Sequence, residues 1–421
     1  MCAAAGAGLL MLPMATRQAI TTSDALFTAL SAITVTGLTV VPTGATFTFF
    51  GQAVILALIQ IGGLGLMVLA VVILSMLGMR IGVVEKSFLT SDLGISSRNS
   101  IFRVTWLIFR VVLVCELAGA ALLAIHFVPS YGLVDGLWHS VFHAVSAFNN
   151  AGFALFENSL AHLFNDIFAL LVIIALLTIG GLGFAVLSDL IELRRWRRFS
   201  LHTKIMLVGS LLLVSVSLVL FVMLEWQNPS TLGLFESPLT KLQVALFEVT
   251  SPRTAGFNIV ETQLLEDSTT LLTVVLMIIG GGSTSTAGGI KVTTFFVLLL
   301  ATIAFLRRSK SIRAFGYQIG ILQGLKVMAL LTISVLLMIG ALFTLLMTQP
   351  LPFLDLLFEV ASAFGTVGLS RGATEDLDNI GRAIICGLMV AGRLGPLFLG
   401  YSMARQSRPL IRYPEGQIYL G

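Results

Sequence analysis

Gly365-Thr366-Val367-Gly368 follows a short apolar run, Phe353 to Phe364, and precedes Leu369-Ser370. In a chain this apolar, a short helix that stops at such a string points to backbone carbonyls ringed around a bare cation. Three related strings accompany it: Thr34-Val35-Thr36-Gly37, Asn149-Asn150-Ala151-Gly152 and Arg253-Thr254-Ala255-Gly256. Glycine placed at a helix end for close packing explains any one of these strings. It does not explain four at repeat spacing, each after a helix too short to span.

Aligning Gly37, Gly152, Gly256 and Gly368 gives each repeat the same order. It reads apolar helix, short amphipathic helix, glycine-bearing turn, polar stretch, apolar helix. The short segments Asp24–Ile33, Asp135–Phe148, Leu239–Ser251 and Leu354–Phe364 hold 10 to 14 residues. At 1.5 Å per residue they reach roughly 15–21 Å, short of a bilayer core about 30 Å thick. They are predicted to enter the membrane and turn back. Irregular backbone at that depth is tolerated only where it lines water or is buried in protein. The expected fold is an all-α integral membrane protein of four fused helix–pore loop–helix repeats around one central pore, with pseudo-fourfold symmetry. Repeat one is expected over 1–79, with its first helix short or truncated. A linker and repeat two take 80–188, a linker and repeat three with a broken final helix 189–306, and a linker, repeat four and tail 307–421.

Composition agrees with a membrane protein. The 421 residues are 57% hydrophobic and 11% charged, with a formal net charge of +4, whereas soluble domains carry about 25% charged residues. No charge falls between Asp24 and Arg80, and runs such as Ile167 to Ser188, Ile205 to Leu224 and Val327 to Leu346 are apolar. Lys and Arg concentrate in the linkers: Arg80, Lys86, Arg98 and Arg103; Arg194, Arg195, Arg197, Arg198 and Lys204; Arg307, Arg308, Lys310, Arg313 and Lys326. Arg405, Arg408 and Arg412 follow in the tail. The positive-inside rule makes that side, with the C-terminus, cytoplasmic. The basic run around Trp196 then sets topology or meets anionic lipid rather than nucleic acid. Glu157, Asp166, Glu261, Glu266, Asp267, Glu375, Asp376 and Asp378 follow the turns on the outer side. They either attract cations there or sit in ordinary solvated loops.

In the turns, main-chain oxygens are expected to replace a cation's hydration shell without a titrating charge, and glycine at the fourth position supplies φ values closed to other residues. The short helices point their negative ends toward the cavity. The side chains at the second and third positions vary, which fits a site built by main chain. Arg253 cannot line a cation path; it is expected behind the turn, with Glu248 as candidate partner.

Each final helix carries a glycine cluster: Gly62-Gly63-Leu64-Gly65, Gly180-Gly181-Leu182-Gly183, Gly280-Gly281-Gly282, and Gly392-Arg393-Leu394-Gly395-Pro396. Close helix packing accounts for the first two. In the third, Gly281, Gly282, Ser283, Thr284, Ser285, Thr286, Ala287, Gly288 and Gly289 are poor helix formers, each glycine costing about 1 kcal/mol relative to Ala. Mid-membrane, this stretch predicts a broken helix that forms a gate across the pathway. Arg393 is costly at that depth unless it faces protein or water; it is expected to face the loop as a positive barrier. Lys291 does likewise or snorkels to the cytoplasmic surface.

No pairing of nucleophile and base stands out, and no intramembrane carboxylate pair suggests proton coupling; Glu116 comes nearest. These absences argue against an intramembrane enzyme and a proton-coupled solute carrier. His139 and His143 lie four apart on the second short helix, a spacing that suits a metal, but no third ligand is near. Cys2, Cys115 and Cys386 read as small buried hydrophobes.

The strings SAITVTGL, SAFNNAGF, TSPRTAGF and SAFGTVGL, the Gly-Ser-Thr-Ser-Thr loop, Ala391-Gly392-Arg393-Leu394-Gly395-Pro396 and Arg412-Tyr413-Pro414-Glu415 together resemble the Trk/Ktr/HKT superfamily of potassium transporters. The likeness covers essentially the whole chain and is nearest to the bacterial Ktr membrane subunits. The Trk branch carries two additional N-terminal helices that are missing here. Pro252 departs from the residue more usual before Arg253. The resemblance implies potassium uptake, often sodium-dependent, across the bacterial inner membrane by a homodimer with one pore per chain. It implies a cytosolic KtrA-like ring that binds ATP or ADP and regulates the gate. It assigns backbone potassium binding to Val35, Thr36 and Gly37; Asn150, Ala151 and Gly152; Thr254, Ala255 and Gly256; and Thr366, Val367 and Gly368. Gly281–Gly289 and Arg393 are gate elements by the same likeness.

Overall fold

The computed structural model describes residues 2–65, 98–193, 195–283, 285–309 and 311–395, with side chains from Trp106 onward in the second stretch. Arg80, Lys86, Arg194, Thr284, Lys310, Pro396 and the basic tail lie outside the described residues. Naming as quarters, for reference, the stretches that hold the four glycine-bearing strings, the first runs α1 (Cys2–Leu10), α2 (Thr22–Ile33) and α3 (Phe49–Leu64). The second runs α4 (Arg98–Tyr131), α5 (Leu133–Phe148), α6 (Ile167–Leu182) and α7 (Phe184–Leu193). The third runs α8 (Leu201–Glu225), α9 (Pro238–Thr250), α10 (Asp267–Ile278) and α11 (Val292–Leu306). A hairpin of β1 (Ile312–Ala314) and β2 (Tyr317–Ile319) leads to α12 (Ile321–Thr348), α13 (Phe353–Gly365) and α14 (Asn379–Leu394).

Trp106–Tyr131 in α4, α8 and α12 are long and apolar enough to cross a bilayer. The short helices α2, α5, α9 and α13, of 12, 16, 13 and 13 residues, are not; the longest reaches about 24 Å. The apolar run Ile167–Ser188 is not one helix. It bends by 98° between α6 and α7, at Gly183, whose φ of 95° ends α6. Gly65 and Gly395 end α3 and α14 in the same left-handed way.

Polar side chains cap several helix starts, where N–H groups lack helical partners. Thr21 and Asp24 form a capping box on α2. Asp166 accepts from Ala169 N (3.0 Å) and Asp378 from Gly381 N (2.7 Å). Pro238 opens α9, where its missing N–H costs nothing. Two of the outer-side acids, read from sequence either as cation-attracting or as ordinary loop residues, are thus helix caps. The three cysteines form no disulfide; Cys115 and Cys386 are half-buried, while Cys2 is exposed rather than buried as expected.

The glycine clusters bring the final helix of a quarter onto the end of its short helix. A Cβ on Gly62 would overlap the Ile33 carbonyl; one on Gly180 would overlap that of Phe148, and one on Gly392 that of Phe364. Gly340 on α12, by contrast, has open space around it. Gly180→Ala and Gly392→Ala should each lower thermal stability in detergent by about 1–3 kcal/mol through overpacking. Gly340→Ala should not lower it, since Ala is the better helix former; fluorescence-detected thermal unfolding reads both.

Candidate functional site

The short helices end in four similar turns. The residue two before each glycine is left-handed: Val35 (φ 57°), Asn150 (57°), Thr254 (95°) and Thr366 (50°). The glycines follow at 91°, 70°, 74° and 97°. Three of the four non-glycine residues are β-branched, for which positive φ is a genuine outlier. Strain of this kind, worth about 1–3 kcal/mol per residue, persists only where the surroundings impose it.

A serine imposes it. Thr36 N donates to Ser31 O, Ala151 N to Ser146 O, Ala255 N to Ser251 O (each 2.8 Å) and Val367 N to Ser362 O (2.9 Å). The serine hydroxyls then act on the residues beyond. Those of Ser31 and Ser362 accept from Gly37 N and Gly368 N (both 3.1 Å). Those of Ser146 and Ser251 donate to Phe153 O (2.8 Å) and Phe257 O. The third turn is one residue tighter, with five positions from serine to glycine instead of six. The side chains of Val35, Thr36, Ala151, Thr254, Ala255, Thr366 and Val367 are buried in protein. Only main chain is left to meet whatever occupies the centre.

The four turns touch in a closed cycle. A Cβ on Gly37 would overlap the Ala151 carbonyl oxygen, one on Gly256 that of Val367, and one on Gly368 that of Thr36. On Gly152 it would stand 2.9 Å from Ala255 O, the loosest of the four junctions. A cavity of about 480 Å³ opens on one side, lined by all four glycines and by Glu157, Glu261 and Glu375. Polar ties join successive quarters around it: Trp138 Nε1 to Gln52 Oε1 (2.7 Å), Leu160 N to Asn258 O (3.1 Å), Arg371 Nη1 to Thr262 O (3.0 Å), and the Arg382–Asp24 ion pair (2.7 Å).

On the other side of the turns lies the 280–290 loop. Its base is strapped by Gly280 N to Ile290 O (2.8 Å), Ile290 N to Ile278 O (3.2 Å) and Val292 N to Gly281 O (3.0 Å). Its tip touches several quarters. A Cβ on Gly288 would overlap the Thr366 side chain. Thr286 Oγ1 lies 2.8 Å from the Asn150 amide, whose oxygen, turned toward it, also accepts from Gly181 N (3.2 Å). Arg393 donates to the carbonyls of Thr286 and Gly62. Lys291 Nζ donates to Ala287 O (2.5 Å), within the loop itself.

Arg253 does not pair with Glu248. Its Nη2 donates to Ser210 Oγ (3.0 Å), while Glu248 accepts from Ile259 N (2.7 Å) and Val260 N (3.1 Å). His143 donates through Nδ1 to His139 O (2.7 Å) and accepts from Leu155 N (3.3 Å); no metal-binding cluster occurs among the described residues. Glu116 holds Asn149 Nδ2 (2.9 Å) and Gln60 Nε2 (3.2 Å) behind the second turn. The floor serines were not singled out from sequence, although each begins, or nearly begins, the string that was compared.

A ring of backbone turns at the floor of a cavity partly lined by glutamates, beside helices long and apolar enough to cross a bilayer, points to a membrane cation transporter. The family model TrkH, described as cation transport protein, matches residues 5–405. The chain belongs to this family, so the Trk/Ktr/HKT resemblance holds. It is 44% identical to the Ktr system potassium uptake protein B of Bacillus subtilis, covering 99% of this chain and 93% of that protein. It is 36% identical to the potassium/sodium uptake protein NtpJ of Enterococcus hirae, over 99% of this chain and 94% of the other. The crystal structure of the potassium transporter TrkH from Vibrio parahaemolyticus superposes with a TM-score of 0.74 at 22% identity, over 92% of this chain and 79% of that one; it shares the fold.

The junctions rank the glycines. Gly256→Ala meets the Val367 oxygen with φ at 74° and should abolish cation flux into proteoliposomes. Gly152→Ala, at the loosest junction, should retain some. Tracer rubidium influx measures both.

Proposed function

We propose that the chain takes up potassium through a selectivity filter made of the four turns. The supporting observation is the closed cycle of glycine-to-carbonyl contacts. A segment of alternating hand turns successive peptide groups to one side, much as anion nests present successive N–H groups. Val35, Thr36 and Gly37 with Asn150, Ala151 and Gly152, Thr254, Ala255 and Gly256, and Thr366, Val367 and Gly368 then offer oxygens around an axis. They would replace the hydration shell of a potassium ion without a fixed charge. The ends of α2, α5, α9 and α13 add negative potential. Glu157, Glu261 and Glu375 enrich cations in the vestibule. On this reading the chain comprises four quasi-equivalent repeats, 1–79, 80–188, 189–306 and 307–421, around one pore.

Gly281–Gly289 is the gate in this proposal, with Arg393 and Lys291 as its positive elements. The loop lies directly beneath the turns, and its ties to Asn150 and Arg393 are side-chain contacts that a shift could break. The basic linkers place that side in the cytoplasm of a bacterial inner membrane. A relative bearing the name of a Ktr system component supports a multi-subunit assembly. We take the partners to be a second copy of the chain and a KtrA-like ring that binds ATP or ADP. The Enterococcus relative, named for potassium and sodium, supports sodium as a second ion.

Rubidium uptake into liposomes holding the purified chain, with sodium as competitor, tests the filter. Gly368→Ser should raise the effectiveness of sodium as a competitor by about tenfold or more, because a Cβ there displaces the Thr36 carbonyl; such a change corresponds to about 1.4 kcal/mol of discrimination. Unaltered competition in a folded variant would sink the filter. Deleting 281–289, and separately Arg393→Ala, should each increase flux; slower flux from folded protein would leave these elements a structural role only.

A further inference from the structure

The residue three before each floor serine recurs as an unassigned element. It is Thr28, His143, Glu248 and Glu359 in the four quarters, and all four side chains are buried. In three quarters it bonds to the same amide, the one three residues past the filter glycine. His143 Nε2 accepts from Leu155 N (3.3 Å), Glu248 Oε1 from Ile259 N (2.7 Å) and Glu359 Oε1 from Arg371 N (3.1 Å). The tautomer of His143 fits, since Nδ1–H donates to His139 O and frees Nε2 to accept. Glu359 further takes the Ser370 hydroxyl (2.5 Å) and that of Thr374. In the first quarter the position is held by the shorter Thr28. Its Oγ1 has no partner among the described residues, and the corresponding amide is that of Val40.

We propose that His143, Glu248 and Glu359 are positioning residues that clamp the outward end of the filter, and that the first quarter, lacking the clamp, is its compliant side. The inference rests on the filter reading above. Each turn carries left-handed strain that would relax if the chain beyond the glycine were free to move. The serine fixes the inner side of the turn, and the clamp fixes the outer side from the same short helix. Imidazole and carboxylate do this equally well because the task needs only a buried acceptor at a set reach. Oxygen positions that discriminate potassium from the smaller sodium ion then depend on three quarters more than on the first.

Glu359→Met keeps length and removes the acceptor, and Glu359→Gln keeps one acceptor oxygen. Glu359→Met should raise sodium's effectiveness against rubidium uptake by at least about fivefold, whereas Glu359→Gln and Thr28→Ala should stay within about twofold. A purely structural role would lower the yield of folded protein with the ratio unchanged, and would overturn the proposal. So would Glu359→Gln matching Glu359→Met, or Thr28→Ala shifting the ratio as far. Should Glu359→Met fail to fold, single-residue hydrogen exchange on the unmodified protein decides. The amides of Leu155, Ile259 and Arg371 should exchange at least about tenfold more slowly than that of Val40; equal rates would overturn the clamp. If the filter reading itself were wrong, Gly368→Ser would leave sodium competition unaltered. If only the clamp were wrong, Gly368→Ser would change it and Glu359→Met would not.

Discussion

The structure depends on four stretches of main chain meeting with no side chain between them. Gly37, Gly152, Gly256 and Gly368 each abut the next turn's carbonyl, so a single Cβ at one junction pushes on its neighbour. This one requirement accounts for much of the rest. The short helices must end close together, as the contacts between the turns that follow α2, α5, α9 and α13 require. The final helices must approach closely enough to support those ends, which Gly62, Gly180 and Gly392 allow against the last carbonyls of the short helices. The strained residues before the glycines must be held, which the serines do through the backbone amides. A main-chain site also tolerates varied side chains, because Val35, Asn150, Thr254 and Thr366 all face protein.

The four stretches that carry the turns are similar in backbone at the turn itself and unlike in chemistry. The third has the tighter turn, a buried guanidinium at Arg253 and a final helix interrupted by a loop. The second offers Asn149 and Asn150, which face opposite ways: Asn149 toward Glu116 and Gln60, Asn150 toward Thr286. The fourth supplies Arg393 and Arg371, whose guanidinium joins Asp355 to Thr262 and Thr270 of the third. A closed cycle of contacts leaves each quarter free to specialise on the side away from the centre.

Features that change hydropathy or backbone freedom were legible in the sequence. The short helices could be bounded to within a few residues because their lengths fall below a bilayer crossing, and the turns could be found because glycine marks positive φ. Direction within the membrane was not legible. Leu182-Gly183-Phe184 is as apolar as its surroundings, so nothing announces the 98° bend. Arg253 and Glu248 are close in sequence, yet one points to α8 and the other to the exit loop. His143 and Glu248 stood out only as a metal candidate and as a partner for Arg253, and the task they share with Glu359 was hidden for a different reason. Threonine, histidine and two glutamates share no side-chain type, and their common task shows only once the amides they face are located.

The 280–290 loop joins two kinds of contact. Its base is held by backbone hydrogen bonds between Gly280, Gly281, Ile290 and Val292 and their neighbours, including Ile278. Its tip is held by the Asn150 amide and the Arg393 guanidinium, and Lys291 closes it on itself. Each such hydrogen bond is worth about 0.5–1.5 kcal/mol net, somewhat more with a charged donor. A strapped base with a weakly tethered tip is the arrangement in which a segment swings without unfolding the helices that carry it. On the gate reading, releasing the tip asks for a few kcal/mol, a scale that differential binding of a ligand or partner supplies. The same tether joins Asn150 of the second turn to Thr286 of the loop, so on the gate reading a shift of the tip changes the surroundings of that turn.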